Sequence, residues 1–350
     1  MSIGLSSSVR RAVVVTSVAI AVMAVAPGAL AHGGTVPVPP DAANVVFGWS
    51  FDPLAWLPAI VALLLWRTGV VRVNRAHPEH PVATRRSVYW VAGVLVILYA
   101  VDSGLAAYDT TLFSMHMVQH LLLTMVGPPL LLLAGPITLL LQASSPATRK
   151  RYILPVLHSS FVRRVSHPVV AWIVFAAVMW ASHFSPLFNL ALENTWIHRL
   201  EHALFLAAAL LFWWPVIGPD PSPWKLRPAA SILYVGLQMP QNTFLALAIY
   251  MAGAPLYLHY ATTLRTWGPT PLEDQQIAGG IMWVGGDIMF VSMLVALTWL
   301  WMRAEERRSV GEDRRLEAER AAIRERSERL AARRSADTAA GSEPGSPPPG

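Results

Sequence analysis

Residues Phe113–Gln142 read FSMHMVQHLLLTMVGPPLLLLAGPITLLLQ. This stretch contains no Asp, Glu, Lys or Arg. A helix needs about 20 consecutive, mainly apolar residues to cross a bilayer, so this stretch predicts a membrane-spanning helix. Gly127-Pro128-Pro129 and Gly135-Pro136 interrupt it. Because proline removes a backbone donor, we expect the helix to be kinked or broken there.

Six further apolar stretches lie on either side of this one. The seven predicted spans are near 53–72, 87–106, 113–142, 168–187, 197–218, 229–252 and 277–302. The composition agrees, since 54% of the residues are hydrophobic, 14% are charged and the mean hydropathy is +0.44. Charged residues make up about a quarter of an ordinary soluble domain. The sequence therefore predicts an all-α, polytopic membrane protein whose domain 53–302 is a seven-transmembrane-helix bundle.

Arginine and lysine predict the orientation of these spans. They cluster in the loops 67–86, 143–166 and 220–228, whereas the opposite loops hold Arg199 and Arg265. Cytoplasmic loops carry the excess of Arg and Lys, so the N-terminus is predicted outside and the C-terminus inside. The net charge of +6 thus reflects membrane topology, and no nucleic-acid partner is expected.

The N-terminus has the pattern of a secretory signal peptide over residues 1–31. Arg10 and Arg11 precede an apolar run, and Ala29-Leu30-Ala31 is a small-residue cleavage site. An uncleaved anchor is the alternative. Cleavage would leave His32 at the start of an extracytoplasmic segment, 32–52, where its amino group and imidazole could chelate copper together.

The C-terminus differs in composition from the spans. Residues 303–334 are dense in Arg, Glu and Ala and predict a charged cytoplasmic helix. Residues 335–350 are rich in Gly, Ser, Ala and Pro and are predicted to be disordered.

The chain contains no cysteine, which excludes disulfides, iron–sulfur clusters, thiolate zinc sites and a cysteine nucleophile. A metal would have to bind to His, Met, Asp or Glu. The histidines are therefore the most informative residues for function.

Two histidine pairs stand at the predicted outer ends of two spans: His116 with His120, and His198 with His202. Residues four apart lie on one face of a helix, and both helices run inward from the outer surface. We therefore expect the four imidazoles to lie at one depth and to converge on one metal ion. Supporting roles are expected for nearby thioethers and carboxylates, which could ligate the ion or orient its ligands. These supporting residues are Met115, Met117, Glu201 and Asp287.

Three other interpretations of these histidines are open. The imidazoles could hydrogen-bond between helices without a metal, in a protein that acts as a metal-free scaffold. Paired histidines could also ligate haem b in a membrane redox protein. His198-x-x-Glu201-His202 matches the H-x-x-E-H pattern of some zinc proteases. That pattern would need a third ligand, and the sequence has no soluble catalytic domain around it.

Two parts of the sequence resemble the CtaG family of caa3-type cytochrome c oxidase assembly factors. The first is Phe113–Leu123 with Gly127–Leu131 and Gly135-Pro136. The second is His198-x-x-Glu201-His202 followed by Leu211–Gly218. The glycine-rich segment Gly279–Met289 adds to the resemblance, which covers about 50 to 300. The family implies a multi-pass protein of the bacterial plasma membrane that helps to mature a haem–copper oxidase. Its partners would be the lipid membrane and cytochrome c oxidase subunits.

Chemistry and resemblance together predict an assembly factor and not an enzyme. The predicted cofactor is copper, bound or delivered by His116, His120, His198 and His202. The role of these four as copper ligands is inferred from their chemistry.

Overall fold

The structure is a computed structural model that describes residues 39–340. The predicted signal peptide and His32 lie outside these residues. Within them the fold is all-α, as predicted, and the only β-type pairing is one isolated bridge between Trp49 and Ser103.

The first part of the described chain carries seven α-helices. They are α1 (Ala42–Phe47), α2 (Pro53–Ala76), α3 (Thr84–Asp102), α4 (Gly104–Tyr108), α5 (Phe113–Leu121), α6 (Gly127–Ala134) and α7 (Pro136–Ala143). A π-helical turn, Leu122–Val126, joins α5 to α6.

Eleven further helices follow in the described chain. They are α8 (Pro146–Thr148), α9 (Leu154–Leu157), α10 (Ser160–Val165), α11 (Pro168–His183), α12 (Leu187–Glu193), α13 (Thr195–Trp213), α14 (Pro228–Gly236), α15 (Gln238–Tyr250), α16 (Leu258–Thr262), α17 (Pro271–Gly280) and α18 (Gly286–Ala340). Two more π-helical turns are Arg149–Ile153 and Ile281–Gly285.

Five segments of the described chain are long and apolar enough to cross a membrane. They are Pro53–Ala76, Thr84–Asp102, Phe113–Ala143, Pro228–Tyr250 and Pro271–Arg307. The pair formed by α11 and α12 makes a sixth if the two are taken together, although they are bent by 66°. The protein is therefore a helical membrane protein.

The remaining predicted span, 197–218, coincides with α13. This helix exists, but His198, Arg199, Glu201 and His202 in its first turns make it more polar than the other segments, and it is not among the five. The predicted span 168–187 is also altered, because α11 ends at His183 and the chain turns before α12 begins. The total of seven spans remains a prediction.

The break predicted in the third span is confirmed at Gly135. This residue has φ +71°, a left-handed conformation that glycine adopts readily, and it separates α6 from α7. The Arg86 side chain donates to the carbonyls of Ala134 (2.7 Å) and Gly135 (2.8 Å). Asp220 accepts from the first backbone N–H groups of α7 at 2.7 and 3.0 Å. Arg86 and Asp220 therefore supply hydrogen-bond partners for the backbone groups that the break leaves without partners inside the helix.

A reciprocal capping box defines where α17 begins. The Thr270 side chain accepts from the backbone of Glu273, whose carboxylate accepts from the backbone of Thr270, and Pro271 occupies the first turn of α17. Asp102 accepts from the backbone of Phe51 and from the Trp56 indole at 2.6 Å. Asp102, one of the acidic residues within the predicted spans, thus ties the segment before α2 to the end of α3.

From Val295 onward the chain forms a second compact unit, which consists of the rest of α18. The helix predicted over 303–334 is present, and an Arg329–Glu325 pair four residues apart supports it. The helix continues to Ala340, whereas residues 335–340 were predicted to be disordered. Alanines there favour the helix. The rest of the predicted disordered tail, 341–350, lies outside the described residues.

Candidate metal centre

The first histidine pair lies in α5, whose start is fixed by a buried carboxylate. Asp274 in α17 accepts from the backbone N–H of Phe113 (2.7 Å) and from the Ser114 hydroxyl (2.6 Å). His116 and His120 lie on one face of α5, and their Nε2 atoms are 2.8 Å apart. His116 is fully buried and His120 is 3% exposed.

The second pair lies in the first turns of α13, which the Asn194 side chain caps. The ring centroids of His198 and His202 are 4.3 Å apart, and His198 stacks on His116 with a centroid distance of 5.1 Å. The two predicted pairs therefore meet in one cluster, although they come from helices far apart in the sequence.

Two sets of side chains in this cluster have the geometry to hold a metal ion. One set is His116, His198 and His202, and the other is His116, His120 and Glu201. In each set the potential ligand atoms lie within 4.8 Å of one another. We refer to them as the outer set and the inner set, because His198 and His202 are partly exposed whereas His120 and Glu201 are buried.

Glu201 is held in place from α11. Its Oε1 accepts from the Ser182 hydroxyl at 2.6 Å, and its Oε2 lies 3.9 Å from Nε2 of His116. That Oε2 atom is buried and has no hydrogen-bond partner. A buried oxygen without a hydrogen-bond partner destabilises the folded protein unless another group binds it. The Glu201 Oε2 atom therefore fits the role of a ligand to a cation.

Tyr260 fixes the tautomer of His116. Its hydroxyl donates to the carbonyl of Asp109 at 2.5 Å and lies 3.2 Å from Nδ1 of His116. Burial raises the pKa of Tyr260 well above its ordinary value, so the phenol stays protonated. Because the Tyr260 O–H donates to Asp109, the Tyr260 oxygen accepts from Nδ1 of His116. Nε2 of His116 is then unprotonated, and its lone pair accepts from Nε2 of His120 in the metal-free protein.

Gln119 fixes the tautomer of His202 in the same way. Its amide nitrogen donates to the Ala100 carbonyl (2.7 Å) and to the Asp109 carboxylate (3.1 Å). The amide oxygen is therefore the atom 3.1 Å from Nε2 of His202, and it can only accept. His202 donates from Nε2 and keeps Nδ1 as its free ligand atom.

Asp109 stands beside the outer set, in the turn before α5. Its Oδ2 lies 3.7 Å from Nε2 of His198. Burial raises the pKa of Asp109 to about 7, although the hydrogen bond from Gln119 opposes this shift.

Several of these residues were not predicted from the sequence. Ser182, Gln119, Asp109 and Tyr260 act through their contacts with Glu201 or the histidines. His183 is the remaining addition: its ring centroid is 5.9 Å from that of His120, and its buried Nε2 has no partner. No second histidine lies four residues from His183 in the sequence, so the spacing that singles out the two pairs does not single out this residue.

Of the other residues expected to support the site, Asp287 lies outside both ligand sets. It accepts from Thr243 at 3.0 Å. Met115 and Met117 flank His116 in the chain, so each is turned roughly 100° away from it around α5. Glu201 is in the cluster, and the supporting roles of Met115 and Met117 stay predictions.

Replacing Tyr260 by Phe tests the tautomer assignment. In the parent protein, Nδ1 of His116 is expected to carry the proton and Nε2 to be unprotonated. In Tyr260→Phe this preference should weaken, because Nδ1 loses its acceptor. Nitrogen NMR of ¹⁵N-histidine-labelled, metal-free protein measures the protonation of each ring nitrogen. An unchanged His116 signal in the variant would contradict the assignment.

The helices and the cluster define a class of protein: a polytopic α-helical membrane protein with histidines and one carboxylate buried together near the ends of its helices. The sequence profile of the family named cytochrome c oxidase caa3 assembly factor (Caa3_CtaG) matches residues 64–304. The chain belongs to this family.

Among curated proteins, the chain is 33% identical over 289 residues to an uncharacterized protein of Mycobacterium leprae. It is 30% identical over 294 residues to uncharacterized proteins of Mycobacterium bovis and Mycobacterium tuberculosis. These matches cover 81% and 82% of the chain but only 44% of each relative, so the chain spans less than half the length of these proteins. No solved structure matches the chain.

Proposed function

We propose that this protein binds copper in the histidine cluster and delivers it to a cytochrome c oxidase during assembly. The observation that carries the proposal is the convergence of His116, His120, His198 and His202 with Glu201 in one cluster, in which His116, His120 and Glu201 are buried. Imidazole nitrogens are good copper ligands, and the chain has no thiolate that could replace them. Buried donor atoms without partners on His120 and Glu201 fit a bound cation.

The proposed topology places this cluster at the outer face of the bacterial plasma membrane. In it, seven spans include α13 and the α11–α12 pair, the N-terminus is outside and the C-terminus is inside. The distribution of Arg and Lys between the loops supports this orientation. Oxidase subunits would be the partners that receive the metal on that side.

Reporter fusions test the orientation. A reporter that is active only outside the cytoplasm should work when fused after Tyr108 and fail when fused after Lys150, because the proposed topology puts these positions on opposite faces. The reverse pattern would move the histidines to the cytoplasmic face and contradict delivery on the outside.

Metal analysis combined with an optical spectrum of the detergent-purified full chain tests the copper proposal. We expect copper to bind and no Soret band to be present. The His116 and His120 nitrogens contact each other directly, which supports a single ion over a flat macrocycle. A Soret band would establish haem instead. Protein that supports oxidase assembly while binding no metal would establish the scaffold function.

A metal-dependent hydrolase is the second candidate, and one observation favours it. The H-x-x-E-H pattern requires a third ligand, and His116 lies where it could supply one for His198 and His202. The zinc-loaded protein would then cleave peptides, and a Glu201→Gln variant would not. Absence of cleavage by zinc-loaded protein that retains its metal would exclude this activity.

A further inference from the structure

The outer and inner sets share one residue, His116. The other members differ: His198 and His202 in the outer set, His120 and Glu201 in the inner set. The arrangement therefore contains two ligand sets that meet at a single imidazole.

Only one nitrogen of that imidazole is available to a metal ion. Nδ1 of His116 is hydrogen-bonded to Tyr260, whereas Nε2 lies 2.8 Å from His120 and 3.9 Å from Glu201. A neutral imidazole has one lone pair for a metal ion. Two ions therefore cannot use His116 at the same time.

The two sets also differ in their access to solvent. The His198 side chain is 11% exposed, whereas His116 is fully buried, His120 is 3% exposed and Glu201 is 8% exposed. The outer set is thus the more accessible of the two, since His198 and His202 are partly exposed whereas all three residues of the inner set are buried. The Asp109 carboxylate, 3.7 Å from His198, adds an acidic group on that side.

Both sets contain buried ligand atoms without hydrogen-bond partners. They are Nε2 of His198 in the outer set, and Nδ1 of His120 and Oε2 of Glu201 in the inner set, which also has Nε2 of His183 near it. The inner set also offers a carboxylate oxygen, whereas the outer set offers only nitrogens. An ion in the inner position is therefore more enclosed and has a different donor composition.

We propose that His116 is shared between two mutually exclusive copper positions, so that one ion is captured by His116, His198 and His202 and then transferred inward to His116, His120 and Glu201. This inference rests on the proposed function and adds to it the route of the ion. It predicts one copper ion per chain, with His116 retained as a ligand throughout the transfer.

The test is titration of Cu(II) into the metal-free, full-length protein, followed by EPR spectroscopy and stopped-flow uptake. The parent should bind one ion. His198→Ala should take up Cu(II) at least about tenfold more slowly, yet reach a final spectrum with mixed nitrogen and oxygen ligands. His120→Ala should take it up at the parental rate and give an all-nitrogen spectrum. Because His120 is buried, His120→Gln is a second variant that preserves most of the side-chain volume.

The outcomes separate this inference from the proposed function. Failure of the correctly inserted parent to bind copper would overturn both. Two ions bound at once would overturn only the shared-ligand inference. The same would follow if His198→Ala and His120→Gln had identical spectra and rates, since the positions would then not be distinct.

Discussion

A His116→Ala variant is expected to lose copper binding and to lower oxidase activity in the cells that carry it. His116 is the only residue common to both ligand sets, so its removal damages each of them. Changing a residue that merely supports a ligand typically weakens metal affinity about 10–100-fold, and loss of this ligand should exceed that. Bound copper per purified chain and oxidase activity in membranes are the two measurements.

His158→Ala is the matched control for this variant. His158 is an exposed histidine at the end of α9, outside the cluster, and its loss should change neither copper binding nor oxidase activity. A double variant, His116→Ala with His202→Ala, gives the strictest test. If it inserts into the membrane and binds copper as the parent does, the cluster is not the copper site.

Glu201→Gln is expected to cause the second largest loss of copper affinity. Glutamine is nearly the same size and its amide oxygen still accepts from Ser182, so the fold should be retained. The change removes the negative charge and the free carboxylate oxygen that face His116. Copper affinity should fall by more than about 100-fold, beyond the range of a supporting residue, as measured by competition with a chelator of known affinity.

Asp287→Asn provides a carboxylate control of the same kind. Asp287 lies in a helix and one of its oxygens is also buried without a partner, but it bonds to Thr243 and lies outside both ligand sets. Its replacement should leave copper affinity unchanged. If Asp287→Asn and Glu201→Gln lowered copper affinity equally, the loss would reflect a general effect of removing a buried charge, and Glu201 would not be a copper ligand.

The helical nature of the chain could be predicted from the sequence, because a long uncharged stretch in a membrane must satisfy its own backbone hydrogen bonds and a helix does this. The break at Gly135 was also predictable, since glycine and proline act locally. The identity of α13 as a span was harder to judge, because its first turns carry the residues of the site and these lower its hydropathy. The bend after His183 also has a local signal, since Ser185-Pro186 follows it and proline commonly ends a helix, although the predicted span 168–187 ran through these residues.

The pairing of histidines within each helix followed from the four-residue spacing. Their meeting across α5 and α13 depended on matched depth and agrees with the structure. Tyr260 and Ser182 could not be predicted, since they belong to other helices and act through tertiary contacts. The expected roles of Met115, Met117 and Asp287 rested on proximity in sequence or on polarity alone, which do not determine side-chain direction.

The Asp274 carboxylate, which holds the start of α5, has a consequence for the biosynthesis of the protein. Asp274 follows Phe113 by 161 residues. At ordinary elongation rates, the ribosome needs roughly ten to thirty seconds to add that length of chain. During this interval α5 lacks the acceptor that its first backbone N–H group uses in the finished protein, and Tyr260 is also missing until shortly before Asp274 is made. The ligands themselves are all made once His202 has been added, but the contacts that hold the start of α5 and Nδ1 of His116 form only later in translation, when Asp274 and Tyr260 are added.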